Sequence, residues 1–151
     1  MLTLPLPAAS LPVVLDTNVV LDWLVFRNPG CSPLASALAR GEARWIATAA
    51  MRAELAHVLA RGHLDAWQPS LPALWSQWDR YCVELPAPLA IGPARRLRCS
   101  DADDQKFIDL AVAGGARWLV SRDRAVLKLA RRLLECGVEA VPPERWAMPA
   151  T

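Results

Sequence analysis

Short apolar runs that suit buried strands alternate with amphipathic helical segments along this chain of 151 residues. Three of the runs, at residues 13–15, 118–121 and 138–141, consist mainly of β-branched or bulky apolar side chains. Such runs are typical of strands that are buried on both faces of a sheet. Because strands that alternate with helices form βαβ units, whose two strands are parallel, the pattern predicts an α/β fold on a mainly parallel sheet.

Turn and capping residues set the bounds of the other predicted elements. Two further strands are predicted at residues 44–48 and 81–85. Ser100 is the expected N-cap of one helix, and glycines at 41, 62, 114 and 137 are expected to end four of them. The predicted helices span residues 19–26, 32–40, 49–61, 71–78, 100–113 and 124–136.

The composition is that of one folded domain. Hydrophobic residues make up 54% of the chain and charged residues 21%, which excludes a disordered protein. Three of the seven tryptophans lie close together in the sequence, at Trp67, Trp75 and Trp78. Core packing is the favoured interpretation of this cluster, and a protein interface is the alternative. We expect one domain at residues 13–145, a flexible arm at residues 1–12 and a tail at residues 146–151.

Cysteine spacing and hydropathy indicate the compartment. The four cysteines form no C-x-x-C pair, and a chain of this length does not need disulfides for stability. No uninterrupted apolar stretch is long enough to cross a bilayer, and the apolar first residues lack the basic region of a signal peptide. We therefore expect reduced thiols, a cytoplasmic location and no membrane contact.

Acidic residues follow predicted strands or open predicted helices. In an open parallel sheet, ligands bind beyond the carboxyl ends of the strands. Carboxylates gathered there repel one another unless a cation lies between them, and Mg²⁺ or Mn²⁺ is the hard divalent ion that prefers oxygen ligands. The residues concerned are Asp16, Glu54, Asp101, Asp103, Asp104 and Asp123.

The acids at the start of the helix at residues 100–113 differ in their expected roles. Helix capping and the helix dipole explain Asp101 and Asp103. Asp104 is harder to explain by capping, because Phe107 and Ile108 lie three and four positions later and place it along the apolar face. An unpaired carboxylate is costly there, so a functional role is favoured for Asp104.

The other three acids each have a structural alternative. Asp16 ends a buried strand, where its carboxylate needs a cation or hydrogen bonds; an Asx turn with Thr17 is the weaker alternative. Glu54 alone is compatible with a solvated helix flank, and Asp123 alone with a helix cap. Their joint position in one sheet topology, and not any single residue, predicts a metal site.

In combination these segments resemble the PIN-domain ribonucleases, including toxins of the VapBC type. The resemblance covers residues 13 to about 141. It rests on Leu15-Asp16-Thr17-Asn18-Val19, on Glu54-Leu55, and on the run from Asp101 to Ala111 that is followed by Ser121-Arg122-Asp123. The last two segments are most similar to a branch of the family grouped with toxin–antitoxin systems.

The resemblance implies a PIN-like three-layer αβα fold with a central, mainly parallel sheet of about four to five strands. It also implies a metal-dependent endoribonuclease with Mg²⁺ or Mn²⁺ as cofactor. Asn18 and Ser121 match polar positions near the site, and Asp101 is an auxiliary that can assist or replace Asp104. The implied catalytic and metal-binding residues are Asp16, Glu54, Asp104 and Asp123.

The partners implied by the resemblance are RNA, a cognate antitoxin protein and a second copy of the chain in a homodimer. Nearly all basic residues are arginine, whose planar fork suits phosphate. Ion pairs or a solvated face are equal alternatives to RNA contact for these side chains. The RNA-contact candidates are Arg95, Arg96, Arg98, Arg122 and Arg124.

Two alternative functions remain. A haloacid-dehalogenase-like phosphatase also has an Asp at the end of its first strand, but it needs a second Asp two positions later, where this chain has Asn18. A catalytically silent PIN scaffold would bind RNA or a protein without cleaving RNA. The intact acidic quartet argues against the silent scaffold.

Overall fold

Five short strands lie side by side in one sheet in the computed structural model, which describes residues 10–89 and 97–149. All the strand pairs are parallel, and the order is β3-β2-β1-β4-β5. The predicted α/β class with a parallel sheet is confirmed. The strands are β1 (Leu11–Leu15), β2 (Ala43–Ala47), β3 (Cys82–Glu84), β4 (Trp118–Val120) and β5 (Glu139–Val141).

The chain changes direction across the sheet at its central strand. β2 and β3 follow on one side of β1, whereas β4 and β5 lie on the other side. Since crossovers between parallel strands are right-handed, this order places the helices before β3 and the helices after it on opposite faces of the sheet. The gap between β1 and β4 is therefore the topological switch point, where ligands bind in open α/β sheets.

Seven α-helices connect the strands within the described residues. In place of the single helix predicted at 124–136 the structure has two, which are separated at Leu129, whose dihedrals (φ −91°, ψ 4°) leave the helical region. None of the described helices is long and apolar enough to cross a membrane. The helices are α1 (Thr17–Leu24), α2 (Ser32–Ala39), α3 (Ala49–Ala60), α4 (Leu71–Tyr81), α5 (Gln105–Ala113), α6 (Arg124–Leu127) and α7 (Ala130–Glu135).

The expected Ser100 cap is wrong. A 3₁₀ turn at Ala102–Asp104 precedes α5, and its N-cap is Asp101. Asp101 is still extended (φ −101°, ψ 114°), and its carboxylate accepts a hydrogen bond from the N–H of Asp103 at 2.9 Å. The N-cap thus lies one residue later than predicted, because the Asp101 carboxylate accepts the N–H of Asp103, which has no backbone partner in the turn.

The core is centred on β1 and is rich in tryptophan. Val13 is fully buried and lies opposite Trp45 of β2 and Trp118 of β4. Core packing is confirmed for Trp78, which is buried against Trp45. It is wrong for Trp67, which is 58% exposed.

Two adjacent leucines of α7 provide a matched test of the packing. Leu133 is fully buried, whereas Leu134 is 61% exposed. We expect Leu133→Ala to lower the free energy of unfolding by about 2–5 kcal/mol, because it leaves a cavity under the helix. Leu134→Ala should change it by less than about 0.5 kcal/mol. Urea denaturation measures both, and equal effects would contradict this packing of α7.

Candidate functional site

The site lies at the carboxyl ends of β1 and β4. Leu15 pairs with Val120 in the parallel register, so Asp16 and Ser121 are the next residues on two adjacent strands. The N–H of Asp16 donates to the carbonyl oxygen of Val120 at 3.0 Å and extends this pairing by one residue. The register therefore places the two side chains next to each other at the switch point.

Asp16 is buried and held by two hydrogen bonds. Its carboxylate accepts the Ser121 hydroxyl at 2.7 Å and the N–H of Asn18 at 3.2 Å, and it caps α1. Burial raises the pKa of Asp16 in spite of these bonds, and the charges of Asp123 and Glu54 raise it further. The Asx-type cap thus forms with Asn18, and it coexists with a place in the acidic site.

Ser121 connects two of the acidic residues. Its side chain is fully buried, its hydroxyl donates to Asp16, and its oxygen accepts the N–H of Asp123 at 3.0 Å. Asp123 in turn accepts the N–H of Ala125 at 2.8 Å and caps α6. The end of β4 is therefore fixed relative to the end of β1 through one hydroxyl group.

Three carboxylates come close enough together to share a cation. One oxygen from each of Asp101, Asp104 and Asp123 lies within 4.8 Å of the other two. Asp104 is buried, and its Oδ2 has no hydrogen-bond partner among the described residues. Asp101 is exposed and Asp123 is half-buried.

The electrostatics of Asp104 favour a cation as its partner. Burial is the largest cause that raises the pKa of Asp104 to about 8, followed by its contact with Asp123 and by the charge of Asp16. An unpartnered carboxylate oxygen that faces other carboxylates is costly without a counter-charge. An all-oxygen donor set of this kind suits Mg²⁺ or Mn²⁺, so these residues fit the metal.

Both carboxylate oxygens of Glu54 are engaged by other side chains. The Thr17 hydroxyl donates to its Oε2, and the ammonium of Lys106 donates to its Oε1 at 2.7 Å. Lys106 also donates to the backbone carbonyl of Asp103, which joins α3 to the turn before α5. With both oxygens engaged, Glu54 is separate from the three carboxylates that can share a cation.

Two positioning residues were missed in the sequence. Lys106 pairs with Glu54, which is 52 positions away. The only signal for Lys106 in the sequence was its position two residues after Asp104. Gln105 accepts the N–H of Cys99 at 2.7 Å and donates to the carbonyl of Leu97 at 2.9 Å. Gln105 thereby anchors the segment that leads into Asp101.

The candidate RNA contacts fall into three groups. Arg122 forms ion pairs with Asp22 and Glu144, which corresponds to the structural alternative for this side chain. Arg98 and Arg124 are exposed and form no salt bridge within residues 10–89 and 97–149. Arg95 and Arg96 lie outside the described residues.

Asn18 is exposed beside the site, and its backbone N–H donates to the carboxylate of Asp16.

The raised pKa of Asp104 predicts how stability depends on pH without metal. Between its ordinary value of 3.8 and about 8, the folded protein keeps a proton on Asp104 that the unfolded chain releases. The free energy of unfolding therefore falls as the pH rises through this range, and Asp16 acts in the same direction. We expect the urea midpoint in EDTA to fall from pH 5 to pH 8, and to fall much less in Asp104→Asn.

Asp103→Asn is the matched control, since it removes an exposed carboxylate from the same turn. It should keep the pH dependence of the wild type. An unchanged slope in Asp104→Asn would show that Asp104 does not carry the buried proton.

The comparison with protein families agrees with this geometry. A family model described as the PIN domain matches residues 12–125, which is 114 of the 151 residues. No curated protein and no solved structure matches the chain significantly. The matched segment includes the ends of β1 and β4 and the turn before α5, where the acidic side chains meet. The chain belongs to the PIN domain family.

Proposed function

We propose that the chain is a divalent-metal-dependent endoribonuclease that hydrolyses RNA phosphodiesters. PIN domains are generally nucleases, and the family match supports a nuclease-type function. The observation that carries the metal dependence is the buried Oδ2 of Asp104, which has no hydrogen-bond partner in the described part of the chain, in a side chain that meets Asp101 and Asp123. A cation there would replace the proton that Asp104 otherwise keeps and would compensate the charges of the three carboxylates.

Asp101, Asp104 and Asp123 would hold Mg²⁺ or Mn²⁺. When bound, the metal supplies a Lewis acid that lowers the pKa of water and offsets negative charge on the phosphate. Asp104 gives up its proton when it becomes a ligand, since ligating carboxylates are ionised. Asp101 is exposed and sits on a short turn, so its side chain can adjust to the ion at little cost.

Asp16 and Glu54 act beside this group. Asp16 adds negative charge next to Asp104, and Ser121 fixes its orientation. Glu54 is oriented by Thr17 and Lys106, which leaves its remaining lone pairs to align an attacking water molecule. Lys106 brings a positive charge to the edge of the acidic cluster, where it favours an approaching RNA phosphate.

Exposed arginines supply the affinity for the RNA backbone in this proposal. Arg124 directly follows Asp123, and Arg98 precedes Asp101 by three positions. Their guanidinium groups are free of salt bridges within the described part of the chain and can pair with phosphate oxygens. Contacts of this type position the RNA and carry no sequence information. Arg95 and Arg96 are assigned the same role from the sequence.

The wider assignment rests on the resemblance of two segments to toxin–antitoxin PIN proteins. It makes the chain the toxin of a type II pair, a homodimer, and the partner of a small antitoxin protein. A cytoplasmic location agrees with an RNA substrate and with four cysteines that form no disulfide. An adjacent reading frame for a small DNA-binding protein would support the toxin assignment without affecting the nuclease assignment.

Cleavage of a labelled single-stranded RNA by the purified protein tests the proposal. We expect cleavage with Mg²⁺ or Mn²⁺ and none with excess EDTA. Asp16→Asn and Asp104→Asn should each lower the rate by more than about 100-fold, because losing even an outer-shell partner of a metal ligand costs about 10–100-fold. A gel-based time course measures the rates.

Asp103→Asn is again the control, because it removes an equal charge one residue from Asp104 without removing a proposed ligand. Its rate should stay within about threefold of the wild type, as is usual for exposed substitutions. Cleavage that persists in EDTA and in both site variants would exclude a metal-dependent mechanism. Absence of cleavage under all conditions would leave the binding scaffold as the function.

A further inference from the structure

A cleft lies away from the acidic cluster, between the end of α1 and the start of α4. Its cavity volume is about 580 Å³. Sites for small ligands typically occupy about 300–1,000 Å³, so the cleft is large enough for one. The side chains that give it chemical character are Trp23, Phe26, Arg27, Trp67, Gln68 and Gln77.

The lining combines aromatic rings, amides and a single charge. Trp67 is 58% exposed, and its ring stands against that of Phe26 with centroids 4.7 Å apart. Among the described residues that line the cleft, Arg27 is the only charged one, and none is Asp or Glu. Gln68 and Gln77 add side-chain amides that can both donate and accept hydrogen bonds. The chemistry favours an anionic ligand with a flat ring.

The backbone of the cleft has an unusual conformation. Within the described residues, Arg27 (φ 51°) and Gln68 (φ 48°) are the non-glycine residues with positive φ. Both line the cleft. Both residues end helical elements, where a left-handed residue is common. Gln68 is the C-cap of the 3₁₀ turn at Asp65–Trp67, and Arg27 follows α1 where the N–H of Asn28 donates to the carbonyl of Asp22. The two turns present Arg27 and Gln68 to the cleft from its two sides.

We propose that this cleft binds an unpaired base of the RNA substrate. The base stacks on Trp67, the amides of Gln68 and Gln77 meet its polar edges, and Arg27 contacts a neighbouring phosphate. This assignment rests on the proposed ribonuclease function and adds a second contact for the RNA, away from the acidic residues. Stacking on an aromatic side chain is the common way in which proteins bind unpaired bases.

Helix α1 connects the acidic site to the cleft, and its length gives the scale of their separation. Asp16 caps α1, and Leu24, the last residue of that helix, lines the cleft. Eight residues at a rise of 1.5 Å give about 12 Å along the helix axis. Single-stranded sites commonly hold about 4–16 nucleotides, so a short stretch of RNA can reach both places.

Binding of a fluorescent single-stranded RNA heptamer in EDTA, where proposed cleavage is off, tests the cleft. Trp67→Ala should weaken binding by about tenfold, within the range that aromatic stacking contributes per base. Trp67→Phe keeps a stacking ring and should stay within about threefold of the wild type. Leu134→Ala removes an equally exposed apolar side chain outside the cleft and should have no effect. A duplex of the same sequence should bind more weakly than the single strand.

Gln68→Gly separates binding from stability. Glycine accepts the positive φ at this position, so the melting temperature should stay equal or rise, as expected when strain is relieved. RNA affinity should fall by about threefold or more, because one amide contact to the base is lost. A purely structural role for Gln68 would change the melting temperature without changing RNA affinity.

The outcomes distinguish the two proposals. Wild-type affinity of Trp67→Ala for the heptamer, or no binding of the heptamer by the wild type, overturns the assignment of the cleft, even if RNA is cleaved. Weakened binding by Trp67→Ala supports the cleft, even if no cleavage is found and the ribonuclease proposal fails. If Trp67→Ala changes only the oligomeric state, the cleft is a protein interface and the assignment is overturned.

Discussion

The pairing of β1 with β4 is the contact on which both the fold and the site depend. It joins the half of the sheet formed by β1, β2 and β3 to the half formed by β4 and β5. The hydrogen bond from Ser121 to Asp16 continues that pairing into side chains immediately beyond the strands. The short polar contacts of Ser121 at the switch point therefore fix Asp16 and Asp123 relative to each other.

The acidic cluster opposes folding in the absence of a cation. Asp104 is buried at the start of α5 and lies close to other carboxylates, and both conditions raise its pKa. Natural proteins keep such unfavourable groups where function requires them. Lys106 compensates Glu54 from within the chain, whereas Asp104 has no comparable partner among the described residues. This difference suggests that the cation belongs with Asp104.

Hydrophobic periodicity was sufficient to predict the parallel sheet and most of the helices. It was also sufficient to predict the burial of Asp104, because Phe107 and Ile108 share its face of the helix. It could not show that Asp101 joins Asp104 and Asp123, since the direction of Asp101 depends on a 3₁₀ turn that no periodicity indicates.

Contacts between distant parts of the chain could not be predicted from the sequence either. The pairing of Lys106 with Glu54 spans 52 positions, and the ion pair of Arg122 with Asp22 spans 100. Local patterns carry no information about such pairs, which depend on how the helices pack. The cleft beside Trp67 arises in the same way, from two segments brought together by the end of α1 and the start of α4.

Calorimetric titration of the metal-free protein with Mn²⁺ at pH 7 tests the central claim most directly. We predict saturable binding accompanied by proton release, measured as a dependence of the heat on the ionisation enthalpy of the buffer, because Asp104 is largely protonated before the ion binds. Asp104→Asn should abolish both binding and proton release, and Asp103→Asn should retain them. Unchanged Mn²⁺ binding by Asp104→Asn, or no binding by the wild type, would contradict a cation site at the carboxyl ends of β1 and β4.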